Sequence, residues 1–184
     1  MPRSRILIAA VATGLAATGL VATAVSQDQP FGNEEDTAYS QTLWERLNEE
    51  NLAGDNAVNT VPYEGTDPHG VILETLYRDI DVEGHTGLVV VKRNYGPEGV
   101  TVEDVQGDRG EHMDSITVMF KREQGYDPEN QDWFWAKYLA DGSLDQNPQG
   151  MSLAGRVGKG ADQGCIPCHA QAAEGDYLYT FNLQ

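Results

Sequence analysis

Apolar and polar positions along this chain fall into blocks of different period. The first block, Ile6 to about Val21, is almost continuously apolar, preceded by Arg3 and Arg5 and followed by Ala22-Thr23-Ala24. A basic start, an apolar run and small residues are the layout of a secretory signal, so residues 1–24 are expected to be cleaved after Ala24. An uncleaved membrane anchor is the alternative, though a run rich in Ala, Gly and Thr makes a weak spanning helix. Residues 25–36 are polar and acidic, with Pro30 and Gly32, and read as a flexible lead-in. Helical spacing follows: Tyr39, Leu43 and Leu47 recur every four residues beside Trp44, with Thr37 or Ser40 as cap and Gly54 suited to the end. Residues 55–69, broken by Pro62, Gly65 and Pro68, are expected to be irregular.

From Gly70 the texture is that of strands. Val71 to Tyr77 is β-branched and apolar, and Leu88 to Lys92 follows through a turn region at Gly84 and Gly87. Gly96 to Asp114 is polar and reads as an exposed loop. Ser115 to Lys121 and Trp133 to Tyr138 are two further strands, separated by the turn chemistry of Gly125 to Asn130. Strands in succession without helical patterns between them imply an antiparallel sheet. The expected fold class is therefore α+β: about four to five antiparallel strands, an N-terminal helix and a short C-terminal helix. Alternation sends Trp133 and Trp135 to one face and Phe134 to the other. One face is expected to cover the helix and any cofactor, and the other to meet a second subunit.

Both cysteines of the chain lie in one string, Cys165-Ile166-Pro167-Cys168-His169. This is the attachment spacing of a c-type haem, two thioethers at one porphyrin edge and the next imidazole on iron. A redox dithiol does not require the histidine, and a zinc site needs about four ligands, whereas His69, His85 and His112 are scattered singly. One covalent haem is expected, with Cys165 and Cys168 as attachment points and His169 as the iron ligand. His69, His85, His112, Met113, Met119 and Met151 are all conceivable second ligands, and such a pair would favour simple electron transfer. The short helix around the string is the expected haem-bearing one, and Tyr177 to Phe181 is apolar enough to pack back on the sheet. Export and covalent haem agree on a periplasmic location.

Charge narrows the partners. The chain carries 12 Lys plus Arg against 29 Asp plus Glu, a net charge of −17, and loss of Arg3 and Arg5 with the signal makes the remainder more acidic still. This argues against nucleic acid and anionic membrane surfaces. It would steer a basic redox partner such as a cytochrome c; a merely solvated acidic surface is the plainer account.

Beyond the attachment string, an ordered set of segments resembles the cytochrome P-460 family, with its beta-type cytochromes c prime. These are Pro68-His69-Gly70, Val90-Val91-Lys92, Asn94-Tyr95, Thr117 to Lys121, Gly125 to Pro128, Asp132 to Tyr138, Asp141-Gly142 and Asp176-Tyr177. The resemblance spans roughly residues 66–181 and makes 37–184 one haem domain. It implies an antiparallel sheet, a homodimer and one five-coordinate haem that oxidises hydroxylamine or binds nitric oxide. It further implies a lysine bonded to the porphyrin, for which Lys92 stands in the matching strand; Lys121 and Lys137 are alternatives, and an amine reaching out to water is the plainer role. Catalytic members use a carboxylate base on the open side of the haem, for which Glu111 and Asp114 are candidates. Nitric-oxide binders place phenylalanine there, for which Phe120 and Phe134 are candidates. The expected function is binding or oxidising such small nitrogen compounds, leaning to an oxidoreductase, with a non-catalytic nitric-oxide binder or a six-coordinate electron carrier as alternatives.

Overall fold

A computed structural model describes residues 29–179; the signal expected at 1–24 and the end of the tail, Thr180 and Phe181 included, lie outside it. Helix α1, Glu34–Glu49, is capped by Asn33, ahead of the Thr37 and Ser40 that the sequence suggests as caps. Asn33 caps it by accepting from the Asp36 backbone N–H at 2.9 Å, and Glu34, Glu35 and Asp36 place negative charge at the positive end of the helix dipole. The acidic lead-in therefore includes the first helical turn. Among the described residues no helix is long and apolar enough to cross a membrane.

Six strands form one antiparallel sheet in chain order: β1 Tyr63–Glu64, β2 Ile72–Val82, β3 His85–Tyr95, β4 Met113–Lys121, β5 Trp133–Leu139 and β6 Ala154–Gly155. The α+β class expected from the sequence is the one observed, with six strands against four to five. Glu83 and Gly84, both at positive φ, make the two-residue turn between β2 and β3. Gly87 is not part of that turn but sits inside β3. A Cβ there would lie 2.0 Å from the Lys121 carbonyl oxygen, so the close approach of β4 requires glycine. The stretch from Gly96 to Asp114 is not simply a loop: it holds two short helices, α2 Val102–Gly107 and α3 Arg109–His112. A reciprocal capping box between Thr101 and Asp104 starts α2.

Strand alternation gives the sheet two buried faces. On one, Tyr39, Leu43 and Leu47 of α1 pack on Val89, Val91, Val118, Phe120, Phe134 and their neighbours. Tyr39 meets Phe134 edge-on at 4.9 Å, and the Tyr138 hydroxyl donates to the Ser40 carbonyl at 2.7 Å. The opposite face carries Val90, Met119, Trp133 and Trp135, covered by Phe31, Val157 and Ile166 from the segments around α4, Cys165–His169. The expectation that helix and cofactor share a face is thus corrected. Helix α1 takes the Phe134 face, and the chain's own C-terminal segments take the tryptophan face, because an eleven-residue strand pair offers enough apolar surface on both sides.

One polar group is buried whole at the sheet end. Glu74 of β2 accepts from Tyr95 Oη at 2.6 Å and the Thr60 N–H at 3.1 Å, and pairs with Arg93 at 3.2 Å and Arg109 at 3.0 Å. It ties β2, β3, α3 and the loop before β1 together. Removing one partner of a buried ion pair leaves the other charge uncompensated, a loss of roughly 3–5 kcal/mol. Glu74→Ala is expected to destabilise by that amount in chemical denaturation; a change below about 1 kcal/mol would remove the network from any structural role.

Candidate haem site

The tryptophan face is organised in rows across the strands. Thr75, Lys92, Thr117 and Lys137 stand side by side on β2 to β5, because Thr75 pairs with Lys92, Lys92 with Thr117 and Thr117 with Lys137. Two residues along, Tyr77, Val90, Met119 and Trp135 form an apolar row; in the other direction Leu73, Asn94, Ser115 and Leu139 form a third. A cavity of about 810 Å³ lies over the first two rows, within the usual range for a bound organic cofactor. Cys165, Cys168 and His169 reach it from α4, and His69 from the turn before β2.

His169 is held by two contacts. Its ring lies 4.8 Å from the Trp135 ring, nearly edge-on, and its Nδ1 is 2.7 Å from the Tyr177 carbonyl oxygen. A carbonyl only accepts, so Nδ1 carries the proton and donates, which leaves the Nε2 lone pair free for a metal. Burial also holds the His169 pKa below its ordinary value, favouring the neutral, ligating form. Burial pushes the Cys165 thiol up to about 12.

His69 also lines the cavity. A backbone turn, with its N–H donating to the Thr66 carbonyl at 3.0 Å, brings it over the sheet end, and Nδ1 lies 3.4 Å from Thr117 Oγ1. Burial, then the nearby Lys92 and His169, lower its pKa to about 4, so its imidazole is neutral at pH 7. The two histidine rings are 6.2 Å apart, with planes at 89°.

The site fits a haem on its own evidence. Its walls are mainly apolar, Cys165, Cys168 and His169 reach it together, and Trp135 Nε1 is a buried donor without a partner among the described residues. Among those residues no cluster of three or more His, Cys, Asp or Glu side chains is gathered to hold a metal directly.

Compared with models of known protein families, residues 77–180 match cytochrome P460. The chain belongs to the cytochrome P460 family. The same comparison with curated proteins and with solved structures gives no match. The match runs from the middle of β2 through α4 to the tail, and family membership implies a haem-binding c-type cytochrome.

Against this P460 frame, the residues singled out from the sequence divide. Lys92 lies in the cavity wall, and burial lowers its pKa from the ordinary lysine value, an effect the nearby Cys168 opposes. Lys137 also lines the cavity but is paired with Asp145 at 2.8 Å, and Lys121 sits outside it, over the Trp133 ring. Glu111 and Asp114 are exposed and do not line the cavity. Phe120 and Phe134 belong to the α1 face and cannot cap a haem on the other. His85 sits by the Lys121 carbonyl at 3.1 Å, His112 ends α3, and Met113 packs in the core on the α1 side. Met151 packs at the edge of the tryptophan cluster, outside the cavity lining. Of the six conceivable second ligands only His69 and Met119 face the cavity.

Trp135 carries the packing under His169. Trp135→Ala is expected to cost about 3–5 kcal/mol in denaturation. Trp135→Phe keeps most of the contact and strands no hydrogen-bond partner, so its cost should stay under about 1.5 kcal/mol. A larger loss for phenylalanine would mean that Nε1 makes a bond in the folded protein.

Proposed function

We propose that this chain is a periplasmic monohaem c-type cytochrome that binds or oxidises small nitrogen compounds, hydroxylamine and nitric oxide among them. Cys165 and Cys168 would hold the porphyrin through thioethers, and His169 Nε2 would hold its iron. The observation that carries this reading is the Nδ1–H bond from His169 to Tyr177, which aims an unprotonated nitrogen while two thiols of the same helix face one cavity. A bound haem would supply an iron that takes small nitrogen ligands and passes electrons singly to an outside acceptor.

The chain's own groups have separable tasks. His169 fixes the iron, and Trp135 fixes His169. Lys92 holds a partly desolvated amine against the cofactor space, where burial favours the neutral form with its lone pair free. Glu111 and Asp114 have no part in this reading, since their carboxylates stand outside the cavity wall. The acidic surface, with a net charge of −17, would attract a basic electron acceptor and make exchange salt-dependent. A homodimer remains part of the proposal on the family resemblance alone.

The test is to express the chain in a host able to attach haem to exported proteins. A coloured product whose Cys165–His169 peptide carries the mass of haem is expected, and the Cys165→Ala/Cys168→Ala variant should lose covalent haem. A colourless wild-type protein sinks the proposal. Lys92 divides enzyme from ligand binder: Lys92→Ala is expected to retain haem and lose hydroxylamine oxidation by at least about 100-fold. Equal turnover in the variant would take Lys92 out of the chemistry. Nitric-oxide binding without any wild-type turnover would identify a binder.

A further inference from the structure

We infer that His69 is the second axial ligand of the iron, closing the position opposite His169 in the resting protein. This rests on the haem reading above and states how that same site is regulated. The carrying observation is the mutual placement of the two rings in the lining of one cavity, 6.2 Å between centroids and 89° between planes.

The magnitude separates the roles open to a histidine there. A metal–imidazole bond of about 2 Å plus roughly 1.1 Å from nitrogen to ring centre puts two imidazoles sharing one metal about 6 Å apart. A small molecule on the iron, hydrogen-bonded to His69 at about 2.9 Å, would instead need roughly 9 Å between ring centres. The observed spacing matches direct ligation and is some 3 Å short for a histidine that only hydrogen-bonds a bound molecule. Rings that share an axis through the metal can also stand perpendicular, as these do.

The surroundings agree. Thr117 Oγ1 lies 3.4 Å from His69 Nδ1, and the Asn94 side chain also bonds the ring, so neighbouring polar groups orient this imidazole as they do ligating ones. Gly70, next in the chain, presses so closely on β3 that a Cβ would lie 2.4 Å from the Tyr95 backbone nitrogen. That approach seats His69 against the sheet. Met119, the other conceivable ligand in the cavity, pairs with Trp135 in the strand register and so stands on the same row as the residue under His169, not across from it.

An entering ligand must then displace His69, so the site responds to molecules that bind iron strongly and resists weak ones. Purified haem-loaded protein tests this by electronic and electron-paramagnetic-resonance spectra of the ferric form and by the rate of carbon monoxide binding to the ferrous form. The wild type is expected to be six-coordinate and low-spin. His69→Ala should turn high-spin and bind carbon monoxide at least about tenfold faster. His69→Met should stay six-coordinate with a raised reduction potential, as a His/Met pair gives. Lys92→Ala should remain low-spin. A high-spin wild type overturns the inference while leaving the haem reading intact; so does a His69→Ala protein whose low-spin spectrum is unchanged. Loss of the low-spin state in Lys92→Ala would move the ligand to that amine and overturn it too. Protein without haem overturns both readings together.

Discussion

A pleated strand hands successive side chains to opposite sides, and four long strands of this sheet bury both. The α1 face is filled by aliphatic and aromatic side chains interlocked with Tyr39, Leu43 and Leu47. That packing leaves the tryptophan face free to change character along its length. It runs from an apolar floor at Val90, Met119 and Trp135 to a row of threonines and lysines two residues away. A rigid support with such a gradient can hold an apolar cofactor while presenting an amine and hydroxyls to one part of it. The site's chemistry is thus a property of register: a slip of one residue in β3 would put Lys92 among the helix contacts and Val91 in the cavity.

Much of this was legible in the sequence because it depends on short-range signals. The spacing of Cys165, Cys168 and His169 points to the cofactor that the family implies without any fold, and alternation alone sends Trp133 and Trp135 opposite Phe134. The strand segments were placed within a few residues, since β-branched runs between turn formers carry their own boundaries. The start of α1 was missed because an acidic stretch reads as solvated lead-in, although those acids stabilise a helix N-terminus once Asn33 caps it. The helices α2 and α3 were hidden by their brevity, with Thr101 and Asp104 as the overlooked capping signal.

What could not be read was whatever depends on which distant segments meet. Nothing local distinguishes Glu111 and Asp114, which face solvent, from Glu74, which is wholly buried among two arginines and a tyrosine. His69 reads as one histidine among several; the sheet register and the return of α4 bring its ring within 6.2 Å of that of His169, a hundred residues later in the chain. The strand face on which α1 packs was likewise a question of tertiary choice, since both faces carry large apolar side chains.

The bond from His169 to the Tyr177 carbonyl links cofactor geometry to the order in which the polypeptide emerges. Its acceptor belongs to the backbone of a segment that follows the attachment helix, so no side-chain replacement can supply or delete it. Every strand of the sheet can pair before that segment arrives, yet the imidazole lacks its fixed tautomer until the tail has docked. Loading of the cavity is therefore bound to completion of the chain, and the scaffold stands ready before its metal-binding face is set.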